Sequence, residues 1–298
     1  MKRAISFFSF FFLLLAAYAQ RADKKLQAQL QEIINGYSGD IGIYVKDLKK
    51  GKIVAINADT IFPTASIVKV PILVGIMDKI EQKELTYNQE LIYKDSLLYE
   101  GEDILGSLKN GEKILLKKVV MLMLTTSDNT ASLWLQSLAG KGTRINEILD
   151  SIGLKDTRVN SRTAGRETNR TVYGWGQTTP KEMGILFEKI YHNELFSTEA
   201  CDRMMRCLGR NYWDENEAIS QIPPNIEIFS KNGCVDASRS EVLLVNAPHN
   251  PYIFCIFTKN NKDKSWTHNN EGWTIARKIS KLLWNYFESK NRWEPINK

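Results

Sequence analysis

The apolar positions change rhythm twice along the chain. After an apolar stretch at the N-terminus, Leu26, Leu30, Ile33 and Ile34 recur at helical spacing between Asp23 and Gly36. Asp40 to Leu48 and Lys52 to Ala58 then read as two strands, joined as a hairpin by Lys49-Lys50-Gly51. From about Ser66 to Gly209 the pattern is helical, with clear runs at Val119–Leu124, Thr130–Leu138, Ile145–Ile152 and Lys181–Tyr191. Gly140-Lys141-Gly142 and Gly153 punctuate this block. Strand character returns at Ile226–Lys231, Glu241–Asn246 and Tyr252–Lys259, with a tight connection at Ala247-Pro248-His249-Asn250-Pro251, and Trp273–Phe287 closes as an amphipathic helix. Two early and three late strands make one five-stranded antiparallel sheet only if the chain ends meet. The expected fold class is therefore α+β. An α/β sandwich lobe, from about 22–62 and 210–298, has terminal helices flanking its sheet; an all-α lobe spans about 63–209. A cleft between two such lobes is a usual place for an active site.

The N-terminus adds a compartment. Met1-Lys2-Arg3 is basic, Ile5 to Ala17 is apolar, and Ala17-Tyr18-Ala19 has the small-x-small form of a cleavage site. Residues 1–19 therefore read as a secretory signal peptide, with the catalytic domain over 20–298. A stable membrane anchor would want about 20 apolar residues, more than this run supplies. Cleavage after Ala19 predicts a secreted or periplasmic chain of 279 residues and takes the net charge from +6 to +4. The 40 Lys and Arg are scattered among 34 Asp and Glu, so no nucleic-acid footprint is expected. Four Cys and three His show no C-x-x-C or H-x-x-x-H spacing. No metal or other cofactor is expected, and the cysteines read as small buried or free thiols. A monomer is the default.

Three short motifs carry candidate chemistry. In Ser66-Ile67-Val68-Lys69 the i, i+3 spacing puts a lysine amine within reach of a serine hydroxyl. A desolvated lysine of lowered pKa can accept the serine proton without histidine. Ser127-Asp128-Asn129 falls between two helical runs and reads equally as a helix N-cap. Lys231-Asn232-Gly233 lies in the first late strand; Lys109-Asn110-Gly111 repeats its pattern, but in a polar turn ahead of Ser127. Order and spacing, 61 residues from Ser66 to Ser127 and 104 from there to Lys231, give the trio its meaning.

In these motifs, in Thr125-Thr126 before and Thr130-Ala131 after the second, and in Thr178-Thr179-Pro180, the chain resembles the class A serine β-lactamases and, more distantly, penicillin-binding proteins. The similarity covers about residues 22–290. It implies that Ser66 is the acylated nucleophile, Lys69 its proton acceptor, and Ser127 the hydroxyl that passes a proton to the departing ring nitrogen. Asn129 would hold the substrate's acylamino side chain, and Lys231 would supply positive charge near Ser127 and the substrate carboxylate. Backbone N–H groups of Ser66 and Cys234 would form the oxyanion hole. Gly233 fits on its own terms, since a substrate lying along an edge strand needs a neighbour without Cβ. Arg239 would be a second carboxylate contact; otherwise it reads as an exposed hairpin arginine.

The chain departs from the family pattern in two places. Asn232 stands where the family has a Thr or Ser hydroxyl for the β-lactam carboxylate. The loop before Thr178 lacks the usual deacylation Glu: in an ungapped reading Thr163 takes its place, Glu167 takes that of the partner Asn, and Gly176 that of a tethering Asp. Glu167 is then the candidate water-activating base from a displaced position, or an ordinary loop Glu. The expected function is opening of the β-lactam ring through acyl-Ser66, with breakdown of β-lactam antibiotics. Alternatives are a D-alanyl peptidase or esterase acting on a peptidoglycan-like substrate or small ester, and a binder that stays acylated.

Overall fold

The computed structural model describes residues 21–295 apart from 102, 210, 214, 215 and 292; the signal peptide read at 1–19 lies outside them. Strand β1 (Arg21–Ala22) leads into helix α1 (Lys24–Ile34), started by Asp23, whose carboxylate accepts the Leu26 N–H at 3.2 Å. The hairpin follows as β2 (Asp40–Asp47) and β3 (Lys52–Ile56). Asp47 Oδ1 accepts the N–H groups of Lys49 and Lys50, and Gly51 closes the turn at φ +66°.

The helical stretch carries more strand than its periodicity shows. It contains β4 (Phe62–Pro63), α2 (Lys69–Glu81), the hairpin β5 (Glu90–Ile92) and β6 (Lys113–Leu115), then α3 (Leu116–Thr125), α4 (Asn129–Leu138) and α5 (Lys141–Ser151). Next come β7 (Arg158–Val159), α6 (Glu167–Tyr173), β8 (Gly176–Thr178), α7 (Pro180–Tyr191) and α8 (Thr198–Leu208). Helix α2 is buried continuously from Lys69 to Asp78, as a central helix should be. Pro71 is tolerated because its missing N–H falls in the unpaired first turn.

The chain returns through β9 (Ile228–Val235), β10 (Ser238–Val245), β11 (Tyr252–Lys259) and α9 (Glu271–Phe287). The sheet order is β1-β3-β2-β11-β10-β9, so the ends of the chain meet where β11 pairs β2 antiparallel, Ile256 opposite Ile43. The five expected strands are antiparallel; β1 adds a short parallel edge. Strand alternation divides the core. Tyr252, Phe254 and Ile256 face α1 and α9 with Leu30, Leu283 and Trp284, whereas Ile253, Cys255 and Phe257 face the helical block with Phe187 and Met183. Burial on both faces explains why β11, and β10 from Val242 to Val245, read as nearly unbroken apolar runs. All four cysteines are free.

Candidate active site

Ser66 sits in a single tight turn, Ala65–Val68, just ahead of α2. Ala65 is held at φ +44° and Ser127 at φ +62°, conformations that cost a non-glycine residue about 1 kcal/mol or more and recur at functional sites. Lys69 is fully buried. Its Nζ donates to Ser66 Oγ at 3.0 Å, Ser127 Oγ at 2.9 Å and Asn129 Oδ1 at 2.9 Å, and also to the Ser127 carbonyl. One amine thus joins the first two motifs. Asp128 caps α4 through the Ala131 N–H at 2.7 Å and accepts the N–H groups of Ile104 and Leu105 at 2.6 and 2.8 Å. The capping reading of Ser127-Asp128-Asn129 holds, and the cap aims its neighbours Ser127 and Asn129 at Lys69.

The third motif arrives on β9, which runs on through Lys231, Asn232, Gly233 and Cys234 to Val235. A Cβ at Gly233 would lie 2.3 Å from the Thr64 carbonyl and 3.0 Å from the Ser66 and Ile67 nitrogens. Only glycine lets the strand pass this close to the nucleophile turn. Buried Lys231 donates to the Asn232 carbonyl and Oδ1, both at 2.9 Å. Asn232 Nδ2 turns away, to Glu217 Oε1 at 2.9 Å and the Trp213 carbonyl at 3.0 Å.

Ser66 and Cys234 stand where two cavities meet. The first, about 680 Å³, is walled by Tyr99, Asn129, Val172, Tyr173 and Trp175 on one side and Ala237 and Ser238 on the other. The second, about 560 Å³, contains Ser127, Tyr212, Trp213, Glu217, Asn232 and Trp266. The Trp213 indole N–H holds the Thr126 carbonyl at 2.9 Å, pinning its segment to the end of α3. Burial pushes the Glu217 carboxyl up to about 7, against the lowering pull of Asn232, the Cys234 thiol, Lys231 and Arg239.

Two expected site residues are not brought in. Glu167 is exposed at the first position of α6, where its carboxylate accepts the nearby Gly165 N–H at 3.2 Å, and it is not among the described residues lining either cavity. Thr163 is packed instead against Gly142, where an added Cβ would meet its hydroxyl at 1.7 Å. An aspartate at 176 has no room, because a Cβ there would lie 2.6 Å from Val68 and 2.7 Å from Thr64. Gln177 ties the loop instead, accepting from Arg166 at 2.7 Å and Asn169 at 3.1 Å. Arg239 also departs from both of its readings. Its guanidinium is buried between the rings of Trp266 and Trp273, 4.2 and 4.8 Å from their centroids. It donates to the carbonyls of Val235, Ser238 and Ser265, fastening the β9–β10 turn rather than reaching the cavity.

Residues 25–287 match the model of the beta-lactamase enzyme family. The chain belongs to that family. Among curated relatives it is similar to the VEB-1 β-lactamase of Pseudomonas aeruginosa, 23% identical over 92% of this chain and 94% of that one. It is equally identical, at 23%, to the BRO-1 β-lactamase of Moraxella catarrhalis, over 87% and 84%. Among solved structures, a mutant of PBP-A, captured as an acyl-enzyme complex with penicillin G, superposes with a TM-score of 0.80 at 23% identity, covering 91% of this chain and 98% of that one. A β-lactamase from Chitinophaga pinensis gives 0.79 at 17% identity, over 90% and 100%. This β-lactamase-family chain thus carries the class A fold across nine-tenths of its length.

Glu217, Trp213 and the Tyr99–Trp175 pair, in edge contact at 5.1 Å, carry no signal of a site in the sequence. Glu217 ends the polar run Asp214-Glu215-Asn216-Glu217, which reads as a solvated loop. Only its burial distinguishes it.

Proposed function

We propose that this protein opens β-lactam rings through an acyl-Ser66 ester that forms faster than it is released. The observation that carries the reading is Lys69 Nζ, buried and within 3.0 Å of both the Ser66 and Ser127 hydroxyls. In its neutral form Lys69 takes the Ser66 proton as Oγ attacks the strained amide. The carbonyl oxygen, now negative, is received by the N–H groups of Ser66 and Cys234. As the C–N bond breaks, Ser127 Oγ delivers a proton to the ring nitrogen and regains one from the Lys69 ammonium. Asn129 and the aromatic wall of the larger cavity accept the acylamino side chain.

Hydrolysis of the ester needs a base for water. Among the described residues lining the larger cavity there is no carboxylate, and Glu167 faces solvent. Acylation is therefore well provided for and release is not, so turnover is limited by deacylation. The apolar leader at 1–19 supports export to where β-lactams and peptidoglycan are met. No helix among the described residues is long and apolar enough to cross a membrane.

Digestion after a quenched reaction with benzylpenicillin should place the adduct on the Ser66 peptide. Ser66→Ala should lose both adduct and product, leaving at most about 10⁻³ of the turnover. Label on another residue, or equal turnover by Ser66→Ala, would overturn the assignment. Acylation by D-alanyl peptides or simple esters but not by penicillin would favour the peptidase or esterase reading.

A further inference from the structure

The smaller cavity carries exposed rings that the proposed reaction does not use. Tyr212, Trp213 and Trp266 line it, yet they stay 66%, 45% and 56% exposed. Large apolar side chains left this open to water inside a concavity mark a surface for a ligand. Each of them is already held in place. The Trp213 indole N–H donates to the Thr126 carbonyl at 2.9 Å, and the Tyr212 backbone N–H to the Thr125 carbonyl at 2.9 Å. Tyr212 and Trp213 meet nearly perpendicular, their ring centroids 4.8 Å apart. The Trp266 indole N–H donates to Asp236 at 3.0 Å, and the Arg239 guanidinium lies over one face of that ring, 4.2 Å from its centroid. The exposure of Trp266 therefore belongs to its other face and its outer edge. Rings anchored before a ligand arrives lose little further conformational freedom when it binds.

The same cavity contains Ser127, the hydroxyl that delivers a proton to the departing nitrogen, so whatever the substrate carries beyond that nitrogen enters here. We propose that Trp213 and Trp266 form a leaving-side subsite that takes a flat aromatic substituent. The inference rests on the acyl-Ser66 reading and names the substrate class that such a site takes. An aliphatic group of equal bulk would cover the same apolar surface. Only an aromatic ring adds a stacked or edge-on contact with the indoles. Charged groups lie close by: Lys231, Arg239, Arg277 and Glu217 act on one another beside this wall. They bear on a substrate carboxylate, which the indoles do not read, so the aromatic preference is tested with that carboxylate held constant.

Three cephalosporins with one acyl side chain and one ring carboxylate separate bulk from aromaticity. They carry methyl, cyclohexylmethyl or benzyl on the ring carbon next to the one bearing the carboxylate. Acylation is followed below saturation, first on the unmodified protein. The benzyl compound should react about tenfold faster than the methyl one and about threefold faster than the cyclohexylmethyl one. In Trp213→Leu and in Trp266→Leu the benzyl-to-cyclohexylmethyl ratio should fall towards one. Each ratio compares two compounds on one protein, so a variant that folds only in part does not distort it. The unmodified protein decides the matter even if neither variant folds. Equal rates for benzyl and cyclohexylmethyl, or a ratio unmoved by either leucine variant, overturn the inference while leaving acyl-Ser66 intact. Failure of all three compounds to label Ser66 overturns the acyl-serine reading, and the inference with it.

Discussion

Lys69→Met is expected to slow acylation by a β-lactam by about 10³-fold, the largest loss short of removing the nucleophile. Among the described contacts of Ser66 Oγ, Lys69 is the group placed to take its proton, at 3.0 Å, and no histidine is among the described residues lining either cavity. Methionine fills nearly the same volume without an amine. The variant leaves Asn129 Oδ1 and the Ser127 carbonyl without their buried donor, a cost of about 1–3 kcal/mol. A domain of this size is expected to survive that loss. Stopped-flow acylation beside a thermal melt separates the two effects: the rate should collapse while the protein still unfolds cooperatively. A loss of rate below about tenfold would show that another group takes the proton.

Gly233→Ala should be the second most damaging change, and for a steric reason. The added methyl would sit 2.3 Å from the Thr64 carbonyl, so either β9 or the 64–67 turn must move. Both are backbone, and neither can swing aside as a side chain would. The N–H groups of Ser66 and Cys234 lie on the two segments being forced apart. Acylation should fall about 10²-fold, the scale of losing one oxyanion donor, with about 1–3 kcal/mol of stability lost. The decisive reading is the dependence of the stopped-flow acylation rate on substrate concentration. A misplaced oxyanion hole lowers its limiting value, whereas blocked binding raises only the half-saturating concentration.

Much of this architecture is legible because it is written in periodicity. The runs at Asp40–Leu48, Tyr252–Lys259 and Trp273–Phe287 return as β2, β11 and α9 within two residues. The need for the chain ends to meet emerges as the β2–β11 pairing. The two- and three-residue strands β4, β7 and β8 leave no periodic trace, because so short a segment shows too few alternations. Yet β4 and β8 set the nucleophile turn against the 160–177 loop. Ser66, Lys69 and Ser127 are readable because local spacing and a cap fix them. Glu167 and Arg239 are not, since their placement depends on distant partners. The Trp266–Trp273 pair draws Arg239 inward, and Gln177 takes over a tether expected of an aspartate.

The central claim is that the acyl ester forms on Ser66 faster than it is released, and the first turnover tests it most directly. Excess benzylpenicillin is mixed rapidly with the protein, and ring opening is followed together with intact mass. The expected result is a burst of ring opening equal to about one per molecule, coincident with the adduct, then a slower steady rate. Linear ring opening without a burst, from a protein that never carries the adduct, would contradict it.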